Sequence, residues 1–116
     1  MLALAGGAPS YAENASRVQE QRFFESLGDV PLMPGLYEMP EESMVFDQPE
    51  GRIAESAAAA EGLPLEEIRA FYASALPQMG WRRRADGSFA RDGESLTMNV
   101  ENRDGYSVVR FMVSPQ

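Results

Sequence analysis

The sequence predicts an α+β domain: one main helix packed on an antiparallel, meander-type sheet of five to six strands, plus a short N-terminal helix. Three observations carry this. From Leu65 to Met79, apolar residues (Leu65, Ile68, Phe71 or Tyr72, Ala75 or Leu76, Met79) recur every three to four positions, the repeat of a helix with one buried stripe. Asp-Gly pairs at 86–87, 92–93 and 104–105 divide runs of strand character. Such pairs suit hairpin turns that need positive φ at both central positions. Finally, Ser95 to Glu101 alternates, with Leu96, Met98 and Val100 on one side and Thr97, Asn99 and Glu101 on the other.

Taken in order, residues 1–12 (MLALAGGAPSYA) form a short apolar run of small residues. Ser10 and Ala12 fit the −3 and −1 positions of a secretory cleavage site, so a signal-peptide remnant is expected, the alternative being a disordered Ala/Gly-rich terminus. Residues 13–42 read as an N-terminal helix and a Pro-rich covering segment. Phe23, Phe24 and Leu27 would dock the helix, and Gly28 would stop it. The prolines of 29–42 remove donors and restrict their neighbours, so irregular structure is expected there. Its apolar residues would lie across one face of the sheet, or offer Leu36, Tyr37 and Met39 to a partner.

Residues 43–116 form the expected core, and 13–116 a single domain. Ser43 to Asp47 and Arg52 to Ala60 read as a hairpin through Gln48-Pro49-Glu50-Gly51, although the alanine run favours helix by propensity. Pro64 stands at the entrance of the main helix, Glu66 and Glu67 suit its first turn, and Gly80 suits its C-terminal cap. Strands are then expected at Trp81 to Arg84, Ser88 to Arg91, Ser95 to Glu101 and Tyr106 to Ser114. The last is apolar on both faces, as a central strand would be, with the helix covering one side and the 29–42 segment the other.

Composition narrows the function. A formal net charge of −8 over 116 residues argues against nucleic acid as a partner. The chain has neither cysteine nor histidine. This removes disulfides, thiolate chemistry, the usual zinc sites and the commonest general base. No catalytic residue, cofactor or metal is expected. The acidic stretch Glu38, Glu41, Glu42, Asp47 and Glu50 lacks calcium-loop spacing. Trp81 reads as a plug between helix and sheet. Arg82, Arg83 and Arg84, the one basic cluster, suit either an anionic ligand or a charged edge strand that opposes edge-to-edge pairing.

The runs FDQPEGRI (46–53), EEIRAFYASALPQMGW (66–81), FARDGESLTMNV (89–100) and VVRFMVSP (108–115) resemble small secreted or envelope proteins of unknown function from Gram-negative, alphaproteobacterial sources. The resemblance spans about residues 29–115. It implies an exported α+β domain and supports strand for 52–60, but supplies no catalytic residue. The expected function is therefore a non-catalytic accessory or protein-interaction domain of the bacterial envelope, periplasmic or secreted rather than cytoplasmic, with another envelope protein as partner. Its expected interaction surface is Leu36, Tyr37, Met39, Arg82, Arg83 and Arg84. The alternative is a domain that holds a lipid or an anionic small molecule between helix and sheet.

Overall fold

A computed structural model describes residues 22–116. The expected signal segment and residues 13–21 of the expected N-terminal helix lie outside the described residues. Where the described chain begins, residues 22–28 are not helical: Arg22–Phe23 (β1) pairs antiparallel with Pro31–Leu32 (β2). The Phe24 and Val30 N–H groups donate to the Val30 and Leu27 carbonyls, which closes a tight loop between the two strands. Phe24, Leu27 and Val30 are all buried. The spacing of Phe23, Phe24 and Leu27 looks helical in sequence, but Phe24 and Leu27 reach the core from the corners of a loop and Phe23 is exposed.

The main sheet holds seven strands among the described residues rather than the expected five to six, because the two-residue strand Tyr37–Glu38 also joins it. Tyr37–Glu38 (β3) and, after a single 3₁₀ turn at Pro40–Glu42, Met44–Gln48 (β4) both pair with the long strand Gly51–Glu61 (β5). The helix α1, Leu65–Gln78, follows. Then come Arg82–Arg83 (β6), Phe89–Arg91 (β7), Glu94–Arg103 (β8) and Tyr106–Pro115 (β9). The order across the sheet is β3-β5-β9-β8-β7-β6, with β4 also on the outer side of β5, and every pair is antiparallel. As its two-sided apolar pattern predicts, β9 is central.

The turns follow their residues, with one exception. Asp92-Gly93 (φ 51° and 81°) and Asp104-Gly105 (φ 53° and 84°) take positive φ at both positions, as a type I′ turn requires. At 86–87 only Gly87 has positive φ (92°). Here the Gly87 N–H donates to the Arg84 carbonyl and the Arg84 N–H to that of Ser88, the longer loop of a turn followed by a left-handed glycine. Asp86 accepts from the Ser88 hydroxyl and N–H (2.6 and 2.9 Å). These bonds hold its carboxyl below the usual carboxylate range and favour this loop over the tighter turn.

Strand parity sorts the core. Ala54, Ser56, Ala58 and Ala60 lie opposite Val113, Phe111, Val109 and Ser107, which places them on one face. Leu96, Met98 and Val100 of β8 share that face. Tyr72 of α1 packs edge-on against Phe111 (4.8 Å between centroids), and so does Phe24 (5.4 Å). The helix and the 24–36 segment therefore cover the same face of the sheet. The expected sandwiching of β9 holds only in part: the first half of the 29–42 segment shares the helix's face, and only the 3₁₀ turn Pro40–Glu42 reaches the opposite face, where Glu42 pairs with Arg110. The alanine run is strand because 54–60 is interior on the covered side, and small side chains admit the irregular segment that crosses it.

The helix ends as predicted. The Trp81 N–H donates to the Leu76 carbonyl and the Gly80 N–H to that of Pro77, a pairing that satisfies two terminal carbonyls. Trp81 is 1% exposed and fills the joint between α1 and the sheet.

Candidate interaction surface

Two polar clasps hold the covering segment in place and leave one region of the sheet open. The first is built on Asp29. Its carboxylate accepts from Arg52 (3.1 Å) and Arg91, while Arg52 also reaches Glu94 (2.8 Å). Arg91 donates to the Met79 carbonyl (2.8 Å) and stacks over the Trp81 ring at 4.4 Å. Loop, strand starts and helix end are thereby joined at one corner. The hydrogen bond with Glu94 raises the Arg52 pKa further, so this cation is permanent.

The second clasp is Tyr72. Its hydroxyl donates to the Pro31 carbonyl (2.8 Å) and accepts from the Met33 N–H (3.0 Å). Burial pushes its pKa well above the usual phenol range. Because ionisation is harder in the folded chain, Tyr72 contributes stability below its unfolded pKa of about 10 that is lost as pH rises beyond it. Tyr72→Phe is expected to cost about 1–2 kcal/mol at neutral pH, since two backbone groups lose their partner. It should also flatten the loss of stability above about pH 10. Urea titrations of both proteins across neutral and alkaline pH check both effects.

On the other face, the parity that buries Val109, Phe111 and Val113 turns Tyr106, Val108, Arg110 and Met112 the opposite way, beside Glu61, Ala59, Ala57 and Glu55 of β5; Tyr106 and Met112 are exposed there, whereas Val108 and Ala57 are buried. Glu42 of the 3₁₀ turn pairs with Arg110 (2.5 Å), and Arg103 lies 3.9 Å from Glu42. These charges divide the face. At one end stand Tyr37, which is 77% exposed, and Tyr106. At the other, Met44 and Phe46 of β4 lie opposite Glu55 and Ile53, with Met112 of β9 on the far side of Glu55.

β4 differs from every other strand of the main sheet. All five residues are exposed, and three consecutive ones are apolar: Met44 41%, Val45 50% and Phe46 56%. It pairs only with β5, so among the described residues its outer edge has no strand beside it. Antiparallel pairing turns every second residue's N–H and C=O away from the partner strand. β4 thus offers free backbone donors and acceptors flanked by apolar side chains. The opposite edge, β6, is only Arg82–Arg83, and its two arginines oppose strand addition.

The residues expected at the surface divide accordingly. Leu36 is buried in the core and is not available to a partner. Tyr37, next along the chain, is open, and Met39 is half-buried, its N–H donating to the Ala57 carbonyl. Arg82 and Arg83 are exposed on β6. Arg84 is held by Ser88, Ser95 and Gln116, so the three arginines do not converge on one ligand. Sequence reasoning missed Met44, Val45, Phe46 and Met112. The signal was present in SMVFD: a strand apolar at consecutive positions exposes one set wherever only one of its faces is covered.

Among the described residues no group of carboxylates is placed to hold a metal ion, and no helix is long and apolar enough to cross a membrane. The chain matches no family model, no curated protein and no solved structure.

Proposed function

We propose that this is a non-catalytic protein-interaction domain of the bacterial envelope, and that it works by strand addition: a partner protein lays an extended segment along the free edge of β4 and contacts Met44 and Phe46. The exposed apolar edge carries this reading. Natural sheets blunt such edges with charge, proline, bulges or cover, because an open one templates pairing with other chains. Here the β6 edge is only two arginines, whereas β4 presents three consecutive exposed apolar residues and carries its charge at one end, on Asp47. Backbone hydrogen bonds would supply affinity and the alternate side chains specificity. Methionine beside phenylalanine gives an adaptable contact surface. The envelope location rests on the residue pattern of 1–12 and on the resemblance drawn from 29–115.

The test is a photo-crosslinking amino acid placed at Val45, at Thr97 of the open face, or at Arg82, with the full chain expressed in its own cells. Position 45 is expected to yield one discrete adduct with a protein that binds the domain when both are purified. Adducts from Arg82 alone, or none from Val45, would contradict the proposal.

One observation favours the small-molecule reading. An open groove of about 750 Å³ runs between the flank of α1 (Phe71, Ser74, Met79) and the first hairpin (Phe23, Pro31, Met33). It lies outside the helix–sheet interface, which Tyr72, Leu76 and Phe111 fill. Lipid that stays with the protein through purification and is displaced by Phe71→Trp would move the assignment there.

A further inference from the structure

We infer that the segment received by β4 belongs to another protein and is basic: an extended apolar stretch interleaved with Lys or Arg. This rests on the reading of β4 as a docking edge and goes on to specify the chemistry of its occupant. Four carboxylates surround the apolar residues of β4. Asp47 is on the strand, Glu50 in the turn that follows, Glu55 opposite Met44, and Glu41 in the preceding 3₁₀ turn. None of the four has an ion-pair partner among the described residues, whereas Arg52, Arg103 and Arg110 are each paired with carboxylates elsewhere. A docked strand would strip water from these carboxylates, which is costly unless cations replace the water. An acidic strand would add repulsion to that cost.

The same charges argue against a second copy of this chain. Two β4 edges brought together would oppose their carboxylates, on molecules that already carry −8 each. The exposed arginines of β6 could supply positive charge, but that strand is two residues long and cannot match the five of β4. The occupant is therefore a different protein. Its cations would act mainly on encounter rate and selectivity, so the preference should weaken as salt rises.

The test uses the full chain, isotopically labelled, and two capped synthetic peptides, one alternating Lys with Val and the other Glu with Val. The Lys peptide is expected to shift the backbone amides of 44–48 and to bind at least about tenfold tighter than the Glu peptide at low salt, with the ratio shrinking as salt is added. Asp47→Asn combined with Glu50→Gln, both at exposed positions, should remove most of that ratio and leave the spectrum otherwise unchanged. Equal binding of both peptides at 44–48 would overturn the basic preference and keep the docking edge. No shift at 44–48 from either peptide would overturn both. Concentration-dependent shifts at 44–48 without peptide would assign the edge to a second copy and overturn the inference.

Discussion

Phe111→Ala is expected to remove about 3–5 kcal/mol of folding stability, the usual range for deleting a buried phenylalanine ring. Phe111 is fully buried on the central strand and meets two other rings edge-on, Phe24 from the covering segment and Tyr72 from α1. Through these two rings it joins the sheet to both the helix and the covering segment. Its loss would leave a cavity whose walls belong to three elements, and the close packing of an interior allows only partial collapse. Domains of this size have a total stability of roughly 5–15 kcal/mol, so the variant should sit near the folding threshold. Urea denaturation followed by Trp81 fluorescence measures it. A loss below about 1 kcal/mol would mean that the three elements do not share this core.

Asp29→Ala is expected to have the next largest effect, about 2 kcal/mol, because it leaves Arg52 and Arg91 facing one another without the carboxylate between them. The groups are 22–27% exposed, so water relieves part of the penalty that a sealed site would impose. The damage should be local as well as global. Asp29 ties the loop after β1 to the start of β5 through Arg52 and to the end of β7 through Arg91. Amide exchange over 22–36 should therefore accelerate more than exchange in β8 and β9. The combined change Asp29→Ala with Arg91→Met should recover part of the loss, since it removes the stranded cation and keeps an apolar side chain over Trp81. Equal acceleration everywhere, with no recovery in the double variant, would contradict the clasp.

The sheet was legible where sequence signals are local. Strand parity in 95–101 and Asp-Gly at 92–93 and 104–105 describe hairpins that need no distant partner to be recognised. Leu65–Gln78 followed from its apolar stripe and its caps. What could not be read depends on contacts made far along the chain. β1, β2 and β3 are two residues each, too short to show a period, and exist because their backbone groups find partners in the fold. Phe23, Phe24 and Leu27 mimic helical spacing, and only the loop closure to the Val30 carbonyl separates the two readings. Parity shows that β9 has two apolar sides but not which elements lie on which. Hence parity alone sets the helix and the whole 29–42 segment on opposite faces, whereas the residues up to Leu36 share the helix's face and only the 3₁₀ turn Pro40–Glu42 reaches the other. The same gap explains the candidate site. Leu36 and Tyr37 look alike in sequence, yet the strand turns one into the core and the other into solvent.

The open face is thus a consequence of how the core is filled. With the helix and the 24–36 segment on one side and only the 3₁₀ turn on the other, the second side keeps Tyr37, Tyr106, Met44, Met112 and Phe46 exposed, and among the described residues β4 has no neighbour on its outer edge. The central claim is that this edge binds. It is tested most directly by the affinity of Phe46→Lys for the protein captured through position 45. Phe46 is exposed, so the substitution should change folding stability by no more than about 0.5 kcal/mol. Binding should fall by at least about tenfold, since a central aromatic anchor is lost and a charge is placed on the docking edge. Unchanged affinity in a fully folded Phe46→Lys protein would contradict the assignment of β4 as the interaction site.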